Sequence, residues 1–234
     1  MFDKFRVNIL SFKYFKKIYF ILFNPKFSYI LKRKKNNKEH NILDIGRGGN
    51  SAYQTKIIFP FSKYVGIDRD FNYHNSHKSI NLIDRKIKHD LNSDIEFLET
   101  SLENEYFDII IFNHTIEHTF KGLEILELVT RKLKPEGCIY IEFPSIRSLS
   151  LPSIRGTLNF CDDSTHLKLY SVQEVANILL SNKCKIIKGG RRLNWISIFT
   201  LPLRLVICIL RRKSPAGILW DLFGFADFVF GYKI

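Results

Sequence analysis

Two hydrophobic periods divide the chain. Over residues 1–31, Phe5, Ile9, Phe12, Phe15, Tyr19 and Phe23 recur every three or four positions, and Lys4, Arg6, Lys13, Lys16, Lys17 and Lys26 lie among them. That spacing predicts a basic helix with an aromatic stripe, broken near Pro25. Residues 32–40 are polar and charged and read as a solvated linker. From Asn41 the apolar residues gather into short runs at 41–46, 63–68, 85–90, 107–113, 138–144 and 184–190. The run FDIIIFN at 107–113 is apolar almost throughout, as a parallel strand covered on both faces is. Helical spacing falls between the runs at about 120–133 and at 171–183, where Ser171 and Glu174 form a capping-box pair. Pro135-Glu136-Gly137 reads as a turn. Strands alternating with helices predict a parallel sheet with helices on both faces.

The last third departs from that alternation. WISIFTLPLRLVICIL, residues 195–210, carries one charge and an internal Pro202, with Arg191-Arg192 before it and Arg211-Arg212-Lys213 after. It is shorter than the roughly 20 apolar residues that a membrane span needs. A buried helix and a hairpin dipping into one leaflet both fit it. A final strand is expected at 227–233.

Charge sharpens this division. Residues 1–40 hold 11 basic and 2 acidic residues, residues 41–174 hold 15 and 19, and residues 175–220 hold 9 and none. A mildly acidic centre lies between two flanks of net +9 each. Such flanks are solvated faces or meet an anionic partner, lipid or nucleic acid. Cys138, Cys161, Cys184 and Cys208 form no CxxC pair and fit a reducing compartment. The longest early apolar run, residues 18–23, is shorter than a signal-peptide core. A cytoplasmic protein, peripheral on the inner membrane face, is the expectation.

Candidate chemistry starts at Leu43-Asp44-Ile45-Gly46-Arg47-Gly48-Gly49-Asn50, where a strand runs into a glycine-rich turn. Glycines there let backbone approach a ligand, and the following helix start faces it. Asp68 ends the next strand, 22 residues after Gly46, where a carboxylate accepts from ribose hydroxyls. The spacing points to an adenosine cofactor. NAD fits it too, although Ser51 stands where the dinucleotide pattern has its third glycine.

With FDIIIFNHTIEH (107–118), LKPEGCIYIEFPS (133–145) and DSTHLKLYSVQEVANIL (163–179), the glycine loop makes four motifs in order over about 41–190. Together they resemble the class I S-adenosylmethionine-dependent methyltransferases, in particular the branch with many sugar and glycolipid methyltransferases. The resemblance implies an α/β, Rossmann-like, doubly wound seven-stranded sheet with one antiparallel strand. It would carry basic, apolar N- and C-terminal extensions. The divisions expected are an extension at 1–40, the cofactor domain at 41–194, an apolar insertion at 195–222 and the last strand within 223–234.

The same resemblance implies S-adenosylmethionine as cofactor. Asp44, Gly46 and Gly48 would line its amino-acid part, Asp68 its ribose, Asp90 and Leu91 its adenine, and Asn113 the sulfonium end. Arg47 departs from the family's usual small residue and is expected to face solvent. Methyl transfer to a hydroxyl needs alignment and removal of a proton. His166, beside Asp162 and Asp163, and His114 are the candidate bases; His118 is a third, and each is also explained as a structural hydrogen-bonding group. Glu117 and His118 make a metal pair without further ligands, so no metal is expected. The family branch and the flanks suggest a saccharide or glycolipid acceptor, with peripheral membrane contact through 1–31 and 195–213. Nucleic acid is the less favoured partner. The alternatives are an RNA methyltransferase with phosphate-binding flanks, or a non-catalytic member of the fold in polysaccharide assembly.

Overall fold

A computed structural model describes residues 14–71 and 77–234. Phe5, Ile9, Phe12, Lys4, Arg6 and Lys13 of the predicted stripe lie outside the described residues. The seven strands are β1 Asn41–Ile45, β2 Lys63–Asp68, β3 Arg85–Lys88, β4 Phe107–Asn113, β5 Leu133–Pro144, β6 Cys184–Arg191 and β7 Ala226–Lys233. They form one sheet in the order β3-β2-β1-β4-β5-β7-β6. β1 to β5 pair in parallel, and β7 runs antiparallel to both β5 and β6.

The helices are α1 (14–23), α2 Pro25–Leu31, α3 Ser51–Ile58, α4 His77–Ile80, α5 Ile95–Ser101, α6 Gly122–Arg131 and α7 Val172–Ser181. After β6 come α8 Trp195–Phe199, α9 Leu201–Leu210 and α10 Ala216–Phe223. Side chains alternate across the sheet as strand geometry requires. Ile110 and Phe112 of β4 join Leu98 of α5, Ile125 and Leu126 of α6 and Leu179 of α7 in one buried cluster. Ile109 and Ile111 join Phe27 and Ile30 of α2 and Ala52 and Ile58 of α3 in another. The second half of the predicted extension is therefore part of the core, with Tyr29 packed 4.9 Å from the Phe228 ring.

The Pro135-Glu136-Gly137 segment does not precede β5 but lies within it, as a bulge. The register with β4 slips between Phe107 and Ile109, and Glu136 takes φ +59. An added Cβ at Gly137 would stand 2.8 Å from Lys134 O, so the turn chemistry is used to kink the strand. The apolar stretch 195–210 is neither a single helix nor buried. It breaks at Thr200, ahead of Pro202, into α8 and α9, and Phe199 and Leu210 are 80% and 77% exposed. α1 lies against this unit: Asn194 Nδ2 donates to Leu22 O at 2.7 Å, and the Arg204 guanidinium stands 5.5 Å from the Phe23 ring. Among the described residues, no helix is long and apolar enough to cross a membrane.

Candidate active site

Strand order reverses between β1 and β4, so the loops after them part and leave a crevice at the carboxyl ends of the strands. A cavity of about 620 Å³ opens there, a size that accepts a nucleoside-bearing ligand. Gly46 turns the chain out of β1 with φ +62 while its N–H donates to Ile67 O at 2.9 Å. A side chain at that position would collide with the Thr115 hydroxyl, which itself donates to the neighbouring carbonyls of the loop. Gly48 differs: an added Cβ would meet nothing within 4 Å, because it faces the open cavity.

Asp68, Asp90 and Leu91, expected at the ribose and the adenine, line this cavity. Asp68 Oδ1 accepts from Asp70 N at 3.0 Å, and burial raises its pKa against that bond and the charge of Arg47. Asp44 lies underneath, 2% exposed, taking hydrogen bonds from Ser51 Oγ and Tyr64 OH. Lys26 of α2 donates to the same Ser51 hydroxyl at 3.2 Å, and burial lowers its pKa against the charge of Asp44. Arg47 does not face solvent. It is 4% exposed, donates from Nη2 to Phe71 O at 3.0 Å and packs on the Phe71 ring. The charge of Asp68 makes that burial tolerable, and Arg47 Nε and Nη1 are buried without a hydrogen-bond partner.

Sequence reasoning missed His89, Asn92 and Phe120, which also line this cavity. His89 stacks on Phe97 at 4.7 Å, and Asn92 ties the loops after β3 and β4 together through His118 O and Phe120 N, both at 2.8 Å. Their signal was position: each follows a parallel strand by a few residues.

A second cavity of about 290 Å³ adjoins the first, and His114 lines both. Asn113 faces this second cavity rather than the first, and its Oδ1 is buried without a hydrogen-bond partner. The walls are Glu142 at the end of β5, Arg192 after β6, Phe23 and Asn24 from the N-terminal helices, and Arg204, Trp220 and Asp221 from the 195–222 segment. Arg192 bridges Glu142 at 2.9 Å and Asp221 at 3.0 Å. Burial would raise the Glu142 pKa, but Arg192 and His114 hold it well below the usual carboxylate range.

His114, at φ +47, points Nε2 at Glu142 Oε1 (2.9 Å) and Nδ1 at Glu117 Oε1 (3.4 Å). Burial alone would lower its pKa; the two carboxylates outweigh that and raise it to about 9. At neutral pH it is an imidazolium with both nitrogens turned to carboxylates, hence a donor without a free lone pair. His166 lines neither cavity. It is packed on the Phe160 ring at 4.5 Å, and its Nδ1–H donates to Phe160 O at 2.6 Å. Asp163 stands 3.9 Å from its Nε2, whereas Asp162 folds the preceding loop. The segment instead brings Asp163, Thr165 and Leu167 to the first cavity.

The profile of the methyltransferase domain matches residues 19–188. The chain belongs to that family. The fold of this methyltransferase is shared with an S-adenosylmethionine-dependent methyltransferase from Archaeoglobus fulgidus, at 20% identity over 94% of each chain and a TM-score of 0.55. A second such enzyme, from Aquifex aeolicus, aligns at 17% identity over 92% of each chain with a TM-score of 0.53. Phosphoethanolamine N-methyltransferase 2 of Haemonchus contortus, in complex with S-adenosyl-L-methionine, aligns at 16% identity and a TM-score of 0.61, over 90% of this chain and 52% of that one. Among curated proteins no sequence relative matches.

The methyltransferase is thus an enzyme of the class I fold, and S-adenosylmethionine is its methyl donor. The first cavity fits that donor. Gly48 leaves open space beside the turn, and Asp68 presents a carboxylate to the cavity at the end of β2, next to the loop that holds Arg47.

Proposed function

We propose that this methyltransferase methylates a hydroxyl of a saccharide or glycolipid precursor at the cytoplasmic face of a membrane. One observation carries the reading: a polar second cavity meets the cofactor cavity at His114, and its outer wall is built by helices whose far sides are apolar. A polyhydroxyl acceptor suits fixed charges and an aromatic face. Arg192, Glu142 and Asp221 are locked in ion pairs before any ligand arrives, so binding costs them little reorganisation.

Bound S-adenosylmethionine supplies a methyl group on a sulfonium whose carrier departs neutral. Asp68 would hold the ribose hydroxyls, Asp90 and Leu91 would border the adenine, and Arg47 would set its charge beside the methionine carboxylate. Asn113 and His114 wall the second cavity where it meets the first, the place at which the acceptor's hydroxyl is held. The chain thus contributes alignment of two bound groups, the largest help such a transfer needs. His166, outside both cavities, has no part in this alignment.

α1, α8 and α9 support the membrane part of the proposal. Phe15, Phe199, Leu203 and Leu210 are exposed, and Arg211, Arg212 and Lys213 are exposed beside them. The test is label transfer. Purified protein, methyl-labelled S-adenosylmethionine and a lysate of the source cells are incubated, and lipid, polysaccharide, RNA and protein fractions are counted. Label in lipid or polysaccharide is the expected result; label confined to RNA or protein overturns the acceptor.

A further inference from the structure

The loop after β4 and the loop after β5 bring a third ligand to the Glu117–His118 pair. One ligand-capable atom from each of Glu117, His118 and His166 lies within 4.8 Å of the others. Glu117 is 1% exposed, and neither of its carboxylate oxygens accepts a hydrogen bond. The His114 ring nitrogen at 3.4 Å is a charge contact, too long for a good hydrogen bond. Beyond that one long charge contact the buried carboxylate accepts no hydrogen bond, and its remaining lone pairs are of the kind that a closer cation completes.

The two imidazoles are prepared in the complementary sense. His118 Nδ1 lies 3.1 Å from Thr165 O, and His166 Nδ1 lies 2.6 Å from Phe160 O. A carbonyl only accepts, so in each ring Nδ1 carries the proton and Nε2 keeps its lone pair. Metal-ligating histidines are oriented in this way, through a hydrogen bond from the nitrogen that does not bind. The Thr165 hydroxyl adds to the arrangement, 2.9 Å from His118 Nδ1 and 2.6 Å from Asp163 Oδ1.

We propose that Glu117, His118 and His166 bind one divalent first-row transition cation, of which Zn²⁺ and Mn²⁺ are the representatives to try. Two imidazoles and one carboxylate suit such ions, whereas Mg²⁺ and Ca²⁺ take oxygen sets. Three protein ligands leave a coordination position for water or substrate. His118 also lines the cofactor cavity, so the cation sits in its wall, where it can polarise an acceptor oxygen. That catalytic use rests on the methyl-transfer reading above; the site itself does not.

The experiment uses the full chain after chelator treatment and dialysis. Zn²⁺ alone is titrated by calorimetry, and Co²⁺ is added separately for its visible absorption. The expected result is one equivalent bound, with affinity at least tenfold weaker in both Glu117→Gln and His166→Ala. S-adenosylmethionine binding is measured on each variant to establish that it is folded. No stoichiometric binding by the parent protein, or binding that survives both substitutions in folded protein, overturns the site. Methyl transfer that is unchanged after chelation, in protein shown to bind the metal, overturns only the catalytic use.

Discussion

Gly46 and Gly48 stand two residues apart in one turn and answer to different constraints. At Gly46 the backbone is left-handed and Thr115 occupies the space of a side chain. An alanine there costs about 1–2 kcal/mol for the backbone and about 1–3 for the collision. Gly46→Ala should therefore lower Tm by roughly 10 °C in thermal unfolding, since about 2–4 °C accompanies each kcal/mol in a domain of this size. Gly48→Ala should keep the parent Tm and weaken S-adenosylmethionine binding, because its methyl enters open cavity. Equal Tm losses in the two variants would contradict this division. Asp68→Ala belongs to the same scale: losing hydrogen bonds to a charged group, each about 1.5–3 kcal/mol, should weaken cofactor binding at least tenfold without unfolding the chain. Asn113→Ala should raise the acceptor KM and leave cofactor affinity as it was. A change confined to cofactor affinity would return Asn113 to the sulfonium end. The strand ends that carry Asp68, Asp90 and Asn113 were legible from apolar runs and their spacing. The direction of the Asn113 side chain was not, because which cavity a strand-end residue faces depends on the second cavity's walls, built far away in sequence. Arg47 was misjudged for a related reason: its counter-charge Asp68 becomes a neighbour only when β1 and β2 pair.

The segment 151–163 shows how one side chain organises a loop that ends in a single 3-10 turn, Phe160–Asp162. Asp162 Oδ2 accepts from Leu158 N at 2.9 Å and Asn159 N at 2.8 Å, and Oδ1 accepts from Ser153 Oγ. Asn159 returns the favour at the backbone of Cys161 and at Leu151 O, closing the loop on itself. The Ser153 hydrogen bond first, and the backbone donors with it, outweigh burial and push the Asp162 pKa down to about 2. A carboxyl with a depressed folded pKa stabilises above its unfolded value, about 3.9, and that contribution disappears as pH falls toward 2. Pepsin cleavage within 151–163 should therefore accelerate between about pH 4 and pH 2, relative to a folded reference loop. Asp162→Asn should cleave at one rate across that window; a pH step of unchanged size in Asp162→Asn would refute the assignment. In the sequence this stretch offered carboxylates as partners for His166. What it lacked was any cue that Asp162 serves the loop's own backbone, since the donors to it are main-chain groups that every sequence has.

At the scale of the molecule, charge and exposure are segregated together. The acidic centre holds the five parallel strands, and the two basic flanks meet where α1 lies against α8 and α9. Deleting the whole predicted extension would not test that surface, because Phe27 and Ile30 of α2 are fully buried against the sheet. Such a deletion confuses lost binding with lost core. Substitution on the exposed face separates them. Phe199→Glu with Leu210→Glu should leave Tm and S-adenosylmethionine affinity unchanged, since both side chains are at least 77% exposed. The same pair of changes should abolish cosedimentation with vesicles that contain phosphatidylglycerol. Each change removes apolar area worth about 25 cal/mol per Å² and brings a negative charge toward an anionic surface. Binding by the parent protein should also fall with salt and fail on phosphatidylcholine alone, because each Lys or Arg near such a surface contributes about 1 kcal/mol through its charge. The two dependences are separate readouts: insertion without charge would survive salt, and charge without insertion would survive the substitutions. Parent-like binding by the double variant would mean that the apolar helices cover another partner and that the acceptor pocket they wall is reached from solution.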